Sequence, residues 1–388
     1  MKKNKVVLCL MHKHQFGDSL KPISAEYNGI FNSLKKIFKK TYFFETHNRK
    51  YSIYENNIKI IEKAKKIKPD IIFCHQSSYE IYKETLQILK SISNPVLINW
   101  CSDDSWRFNQ HSVLIAKNYD YMITTYDYSH KQYLKNNFKS ILASWGFPNH
   151  WSSKNKKYLK KYDVTFIGNA YMGRKKIINK LISDGINIKC YGPGWSKIIS
   201  DKSLPEIISK SKICLNFSKS KGNKKQTKAR IFEVTGMGSL CLTEVSNELK
   251  NYFKINKEII SFKNYEELIS KIKFYLRNKK LREKISKAGQ IKCKNNYTYL
   301  KIINKILSKI ESKKKNKGYK KKYFLPKPKN SLILNLYKYI LMFIFNFFLN
   351  SKKSLVSTRR ILFEIEWRIN KHETYSLNGW CNRLFNYN

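Results

Sequence analysis

Acidic residues are scarce in this chain of 388 residues. Asp and Glu total 27 against 77 Lys and Arg, for a formal net charge of +50. Such a chain does not present an acidic surface; its positive one attracts phosphates, anionic lipid or nucleic acid. Arginine is scarce as well, with only ten of the 77 basic positions. The lysine excess comes with abundant Asn, Ile, Tyr and Phe, as AT-rich coding produces. Coding bias and a real anionic partner therefore both remain as sources of the charge. Paired cysteines are missing. The eight cysteines are scattered, no CxxC occurs, and Cys9, Cys74, Cys190, Cys214 and Cys241 sit in or beside apolar runs. That excludes a disulfide frame and a cysteine zinc site, and implies reduced, buried thiols in a cytosolic protein. A signal peptide is not expected either, because the apolar core of "MKKNKVVLCLMHKHQ" is too short. Aromatic-basic repeats of nucleic-acid modules are absent, so no nucleic-acid partner is expected.

What is present is 42% apolar residues and a regular alternation of short apolar runs with helical stretches. "KVVLCLM", "TYFFE", "PDIIFCH", "PVLINW", "YDYMITT" and "SILASW" read as strands, with "SYEIYKETLQILKSI" and "YSHKQYLKNNF" as helices between them. Strands spaced by helices imply βαβ units and a parallel sheet, with ligands beyond the carboxyl ends of the strands. The polar, Pro- and Gly-containing stretch 146–157 reads as a linker. A second alternating set follows, from "DVTFIG" through "INIKCYG", "KICLNF" and "SLCLTE" to "KEIISF", closed by helical patterns up to Ile310. The expected organisation is an N-terminal Rossmann-like domain over 1–145, the linker 146–157, and a second such domain over 158–312. A basic linker over 313–330 and a helical tail over 331–388 complete it. In the tail, "SLILNLYKYILMFIFNFFLN" approaches a bilayer span in length, but Asn335, Lys338 and Asn346 interrupt it on one side of a helix. It reads as an interfacial helix, as one packed back on the body, or as a transmembrane helix.

The stretch "TKARIFEVTGMGSLCL" carries the chemistry. Arg230 and Glu233 stand three residues apart on one helix face. On a plain surface helix that spacing is a salt bridge. Here the helix follows the basic loop "KSKGNKKQTK" and ends at Gly236 and Gly238 before a strand. A helix N-terminus with Lys228 and Arg230 suits a diphosphate, and a carboxylate beside it suits two ribose hydroxyls. The glycines, Gly238 among them, read as points of close backbone approach to that ligand. Asp103 and Asp104 follow a strand end and read either as a helix N-cap or as a general base or acceptor-binding carboxylate. His75 ends "DIIFCH" and reads as a cleft-facing base or as a satisfied loop histidine. His12, His14, Gly17 and Asp18 lie in the first strand-helix loop, on the acceptor side.

The run from Arg230 through Phe232 and Glu233 to Gly238 resembles the R-x-F-E-x-x-x-x-G signature of group 1 glycosyltransferases of the spore-maturation CgeB type. "DVTFIGNAYMGRKK", "IKCYGPGW", "ICLNFS" and the closing helices of "INKEIISFKNYEELISKIKFYLRNKKLREKISKAG" are similar to the same family, and a looser likeness extends over about residues 4–310. The resemblance implies a GT-B fold, two Rossmann-like domains facing a cleft. It implies Glu233 as the ribose ligand, Arg230 and Arg174 as phosphate ligands, and Gly168 at the turn near the donor. It places Tyr191, Gly192 and Gly194 at the base pocket, with Ser218 and Gly238 at the donor. Two departures stand out: position 225 is Lys where related transferases carry a glutamate, and the family's "HTY…R" reads Tyr297, Thr298, Tyr299 and Lys301. The fold implied usually needs no metal, so no metal and no cofactor are expected, only a nucleotide diphosphate sugar as donor substrate. The implied partners are that donor and a glycan, lipid-linked or other acceptor; separately, the lysine-rich linker, the apolar tail helix and Arg359-Arg360 suggest an anionic membrane surface. The implied setting is cytoplasmic, at the inner face of the cytoplasmic membrane, in cell-surface glycan or glycoconjugate synthesis. A nucleotide-sugar epimerase of the same fold and a non-enzymatic basic membrane- or nucleic-acid-binding protein are the alternatives.

Overall fold

The computed structural model describes residues 4–48, 50–154, 158–171, 173–195, 199–200, 203–220, 224–313 and 324–385. Six strands, β1 (Val6–Met11), β2 (Lys40–Glu45), β3 (Ile71–Cys74), β4 (Val96–Trp100), β5 (Tyr121–Thr124) and β6 (Ser140–Leu142), form the first sheet. All pair in parallel in the order β2-β1-β3-β4-β5-β6. Five more, β7 (Tyr162–Ile167), β8 (Ile188–Tyr191), β9 (Ser211–Asn216), β10 (Leu240–Glu244) and β11 (Ile260–Phe262), form a second parallel sheet in the order β11-β10-β9-β7-β8. Each sheet reverses its strand order once, at β1/β3 and at β7/β9. Those reversals open the crevices that receive ligands in doubly wound sheets.

The central strands are continuous apolar runs because helices cover both faces. Val7 to Met11 are all fully buried, whereas the edge strand β2 keeps alternate residues exposed. Helix Ile53–Ile67 starts at a capping box, Ser52 with Glu55, and stops at Lys68 in the left-handed region (φ 44°). The helix expected from Ser78 begins only at Lys83. The Glu80 carboxylate folds back to accept the backbone N–H of Ser77 (2.6 Å) and Ser78 (2.7 Å), holding that stretch as a loop.

The two domains are joined twice. Phe147 N donates to Tyr297 O (2.7 Å) and Tyr299 N donates to Phe147 O (3.1 Å). Helix Tyr299–Ser308, after the second sheet, packs on the first helix of the N-terminal domain. Tyr299 is buried beneath Gly29, where a Cβ would fall 2.5 Å from its ring. The departures from the family pattern, Tyr297 and Lys301, thus serve packing: Tyr297 packs edge-on to Phe232 and Tyr252, and Lys301 donates to Asn295 O, while Thr298 caps this helix.

The tail is built into the N-terminal domain. Tyr375, Leu377 and Cys381 are at most 2% exposed and share a core with Leu8, Ile60, Tyr82 and Leu86. His111 hydrogen-bonds the Tyr375 hydroxyl (3.0 Å), and Leu377 N donates to Glu84 (2.9 Å). Helices Leu332–Asn346 and Ser351–Asn370 pack together, with the second against this core. The lysine-rich residues 314–323 lie outside the described ones. Among the described residues no helix is long and apolar enough to cross a membrane. All eight cysteines are free thiols, seven of them buried.

Candidate active site

The loop after β7 turns at Gly168, whose N–H bonds Tyr191 O (2.9 Å) and whose carbonyl accepts from the Trp195 indole (2.9 Å). Gly192 (φ +117°) lies so close that a Cβ there would sit 2.7 Å from Gly168 O, and Gly194 closes similarly on Ala170. These glycines fasten the β7 and β8 loops to each other. Tyr191 lines a cavity of about 630 Å³ with Tyr162, Trp195 and Lys175, on the edge-strand side of β8 beside helix Arg174–Ser183. Its ring also packs, half-buried, against the core that holds Leu204 and Ile208.

Arg174 begins the helix after that loop. Its guanidinium donates to Asn169 O (3.3 Å) and Lys219 O (3.0 Å), and its buried Nε–H finds no acceptor among the described residues. Across the crevice stands helix Ala229–Met237, whose N-cap side chain makes no capping hydrogen bond, while the Ile231 N–H turns back to Lys228 O (3.1 Å). Lys228 is its N-cap residue, and its ammonium donates to the Gln226 side chain. Burial lowers the Lys228 pKa to about 8, with Asp103 opposing and Arg174 reinforcing the shift. Arg230 is bonded to Glu233 at 2.5 Å, and its buried Nε–H also lacks a partner among the described residues. The i,i+3 salt bridge is therefore formed. It joins a basic and an acidic group one turn from the helix N-terminus, with two arginine N–H donors still to be satisfied nearby.

Two glycines of the motif do something else. Gly238 (φ +79°) is the C-cap of the helix, at the end away from Lys228, and a Cβ there would meet Gln290. Gly236 gives room to the Phe147 ring. Both therefore serve the end and the packing of this helix. Ser218 is fully buried, with its hydroxyl on Val245 O (3.0 Å) and its N–H on Glu244 (3.0 Å), so it braces a loop. Glu244, missed in the sequence, also accepts from Lys219 N (3.1 Å) and pairs with Lys225 (3.2 Å). Its signal was an acid ending the apolar run "SLCLTE" at a strand's carboxyl end.

On the N-terminal side, Asp103 is exposed in the left-handed region (φ 62°), close enough to Lys228 to act on its charge. Asp104 is completely buried, accepting from Thr124 (3.0 Å) and Tyr133 (3.3 Å). Burial raises its pKa to about 7. Held behind the strand ends, it cannot reach an acceptor. His75 is buried too, with Nε2 at 3.0 Å from Ser102 Oγ, which donates to Glu26 (2.8 Å). Burial keeps the His75 imidazole below its ordinary pKa against the pull of Glu26. Burial pushes Glu26 upward, but His75, His12 and Ser102 outweigh it and hold its carboxyl below the usual range. The His12 ring lies 4.9 Å from that of His75. Among the described residues, His12, Glu26 and His75 place ligand-type atoms within 4.8 Å of one another. Sequence reasoning missed Glu26 and Ser102. Gly17 (φ +66°) packs against His47, and Asp18 accepts from Leu20 N (3.0 Å), so both shape the first loop. The two sides touch where Gln226 donates to Ser105 and where Lys224 lies 5.0 Å over the Tyr128 ring.

Residues 174–308 match a family described as "Glycosyl transferase-like". A comparison with curated protein sequences gives no match. Among solved structures, Anabaena HepE in complex with UDP-glucose superposes with a TM-score of 0.55 at 11% identity, covering 78% of this chain and all of that one. Sucrose-phosphate synthase from Thermosynechococcus elongatus gives 0.53 at 11% identity, over 78% of this chain and 98% of that one. A glycosyltransferase from Rickettsia africae ESF-5 gives 0.51 at 13% identity, over 79% and 97%. Two parallel-sheet domains meeting across a cleft, in this company, are the GT-B fold, and the second of them carries a glycosyl transferase-like segment.

Proposed function

We propose that this chain is a glycosyltransferase of the CgeB-like group, passing a hexosyl-type group from a nucleoside diphosphate sugar to an acceptor hydroxyl held by the N-terminal domain. The observation that carries this reading is the gathering of Arg174, Lys228 and Arg230 around the β7/β9 crevice at a helix N-terminus, with exposed Asp103 opposite. The bond from the anomeric carbon to the diphosphate breaks, and the leaving phosphate gains negative charge. Fixed cations and helix N–H groups stabilise that charge without a metal ion. Glu233 accepts from the ribose hydroxyls. If the configuration inverts, Asp103 is the better-placed base, because it is exposed while His75 is covered by Ser102. If it is retained, an oxygen of the leaving phosphate takes the acceptor's proton. HepE binds UDP-glucose, so uridine diphosphate sugars are the first donors to try. A cytoplasmic setting and a glycan or lipid-linked acceptor fit a role in cell-surface glycan synthesis.

The test is a set of three variants. Glu233→Ala should weaken nucleoside diphosphate binding by roughly 1.5–3 kcal/mol. Arg230→Ala should lower turnover more than binding, because its cation acts on the leaving phosphate. The double variant should lose both nucleotide affinity and turnover; a double variant with full activity would reduce the pair to a structural salt bridge. EDTA should leave activity intact. Loss that added metal restores would overturn the metal-free reading and point to His12, Glu26 and His75. Turnover of the donor with no acceptor would instead mark an epimerase.

A further inference from the structure

Helix Leu332–Asn346 is oriented against the rule for water-soluble proteins. Its one charged side chain, Lys338, turns inward, donating to Leu384 O (3.1 Å) and lying 5.4 Å from the Phe385 ring. Asn335 is half-buried, and only Leu334 is fully buried. Outward stand Leu336, Tyr337, Ile340, Phe343, Ile344 and, just beyond, Phe347, with Leu336 61%, Phe343 65% and Phe347 70% exposed. An amphipathic helix in water does the reverse, and a contiguous apolar face of this kind marks a binding surface. Its surroundings carry one sign of charge. Between residues 312 and 363 the sequence has no Asp or Glu and fourteen Lys and Arg. Lys352, Lys353 and Arg360 stand exposed on the next helix.

We propose that this outward face docks on an anionic bilayer, with the helix lying in the headgroup and upper acyl region and the flanking lysines on lipid phosphates. Fifteen residues at about 1.5 Å each reach roughly 22 Å, short of the ~30 Å hydrocarbon core, so the helix lies on the membrane and does not span it. The charge selects the occupant. A second copy would bring one strongly cationic surface against another, whereas an anionic leaflet attracts it. Because the following helix and the chain end are packed into the N-terminal domain, that domain is the one brought to the lipid. This docking stands independently of the proposed chemistry.

Co-sedimentation of the full chain with phosphatidylcholine vesicles, with and without phosphatidylglycerol, tests it. The protein should pellet with the anionic vesicles and stay in solution with phosphatidylcholine alone, and high salt should release it only in part. The variant Leu336→Asp/Phe343→Asp should remain in solution with both, at an unchanged melting temperature, because both side chains are exposed. Lys352→Glu/Lys353→Glu should bind more weakly and with less response to salt. Equal pelleting of the aspartate variant would overturn the proposal. So would failure of the native chain to bind vesicles, including the case of a concentration-dependent dimer that the aspartates dissolve.

Discussion

Lys228 is charged at neutral pH and mostly out of water, and it shares its surroundings with Arg174. Its pKa of about 8 in the folded chain is below the ordinary 10.5. Between those values the unfolded chain binds more protons than the folded one, so the contribution of this group to stability rises with pH across that window. Below pH 8 the full penalty of burying the charge is present. A bound diphosphate reverses the preference by favouring the ammonium. Nucleoside diphosphate affinity should therefore fall as pH rises above about 8, with uptake of a proton on binding. Titration calorimetry in buffers of different ionisation heat measures that proton, and Lys228→Met should abolish its uptake. A proton count of zero for the native chain at pH 9 would show that Lys228 does not face the phosphate.

Among elements, the sheets were legible because parallel central strands are unbroken apolar runs, and "VVLCLM" or "KICLNF" can be little else in a chain this polar. Lys228 and Arg230 stand out in the sequence because they fall within one motif, whereas Arg174, more than fifty residues earlier, is marked only by the family resemblance. The acceptor side was not. The contact of Ser102 with Glu26 joins residues 76 apart, and no local pattern announces it. Asp103 and Asp104 look alike in sequence, yet one strand-end turn exposes the first and buries the second. Gly238 was misread because a glycine after a helix is a ligand contact only if that end faces the ligand. As a left-handed C-cap it predicts its own outcome: Gly238→Ala should destabilise the fold by about 1–2 kcal/mol. Nucleotide affinity in that variant should be unchanged. A melting curve and a binding isotherm on the same sample check both, and weakened binding without a lower melting temperature would return Gly238 to the donor site.

Across the whole molecule, the last residues support the first domain. Deleting 351–388 would uncover the core side chains around Leu8, Tyr82 and Leu86 that Tyr375, Leu377 and Cys381 now cover. Losing several buried side chains at about 1.5–3 kcal/mol each is large beside a typical total stability of ~5–15 kcal/mol. The truncated chain should melt well below the native one, through its N-terminal half. An unshifted transition would mean the tail is held only loosely. The bridge from Gln226 to Ser105 has a kinetic meaning of its own. Gln226 holds Lys228 with its carbonyl and Ser105 with its amide, so one side chain ties the N-cap of helix Ala229–Met237 to the turn after β4. A donor that draws Lys228 onto its phosphates competes for that side chain and loosens the tie. We expect compulsory order, with donor first and acceptor second. Steady-state inhibition by the free nucleoside diphosphate should then be competitive toward the sugar donor and non-competitive toward the acceptor. Gln226→Ala should relax that order toward random addition, and a random pattern in the native enzyme would leave the bridge as a static contact.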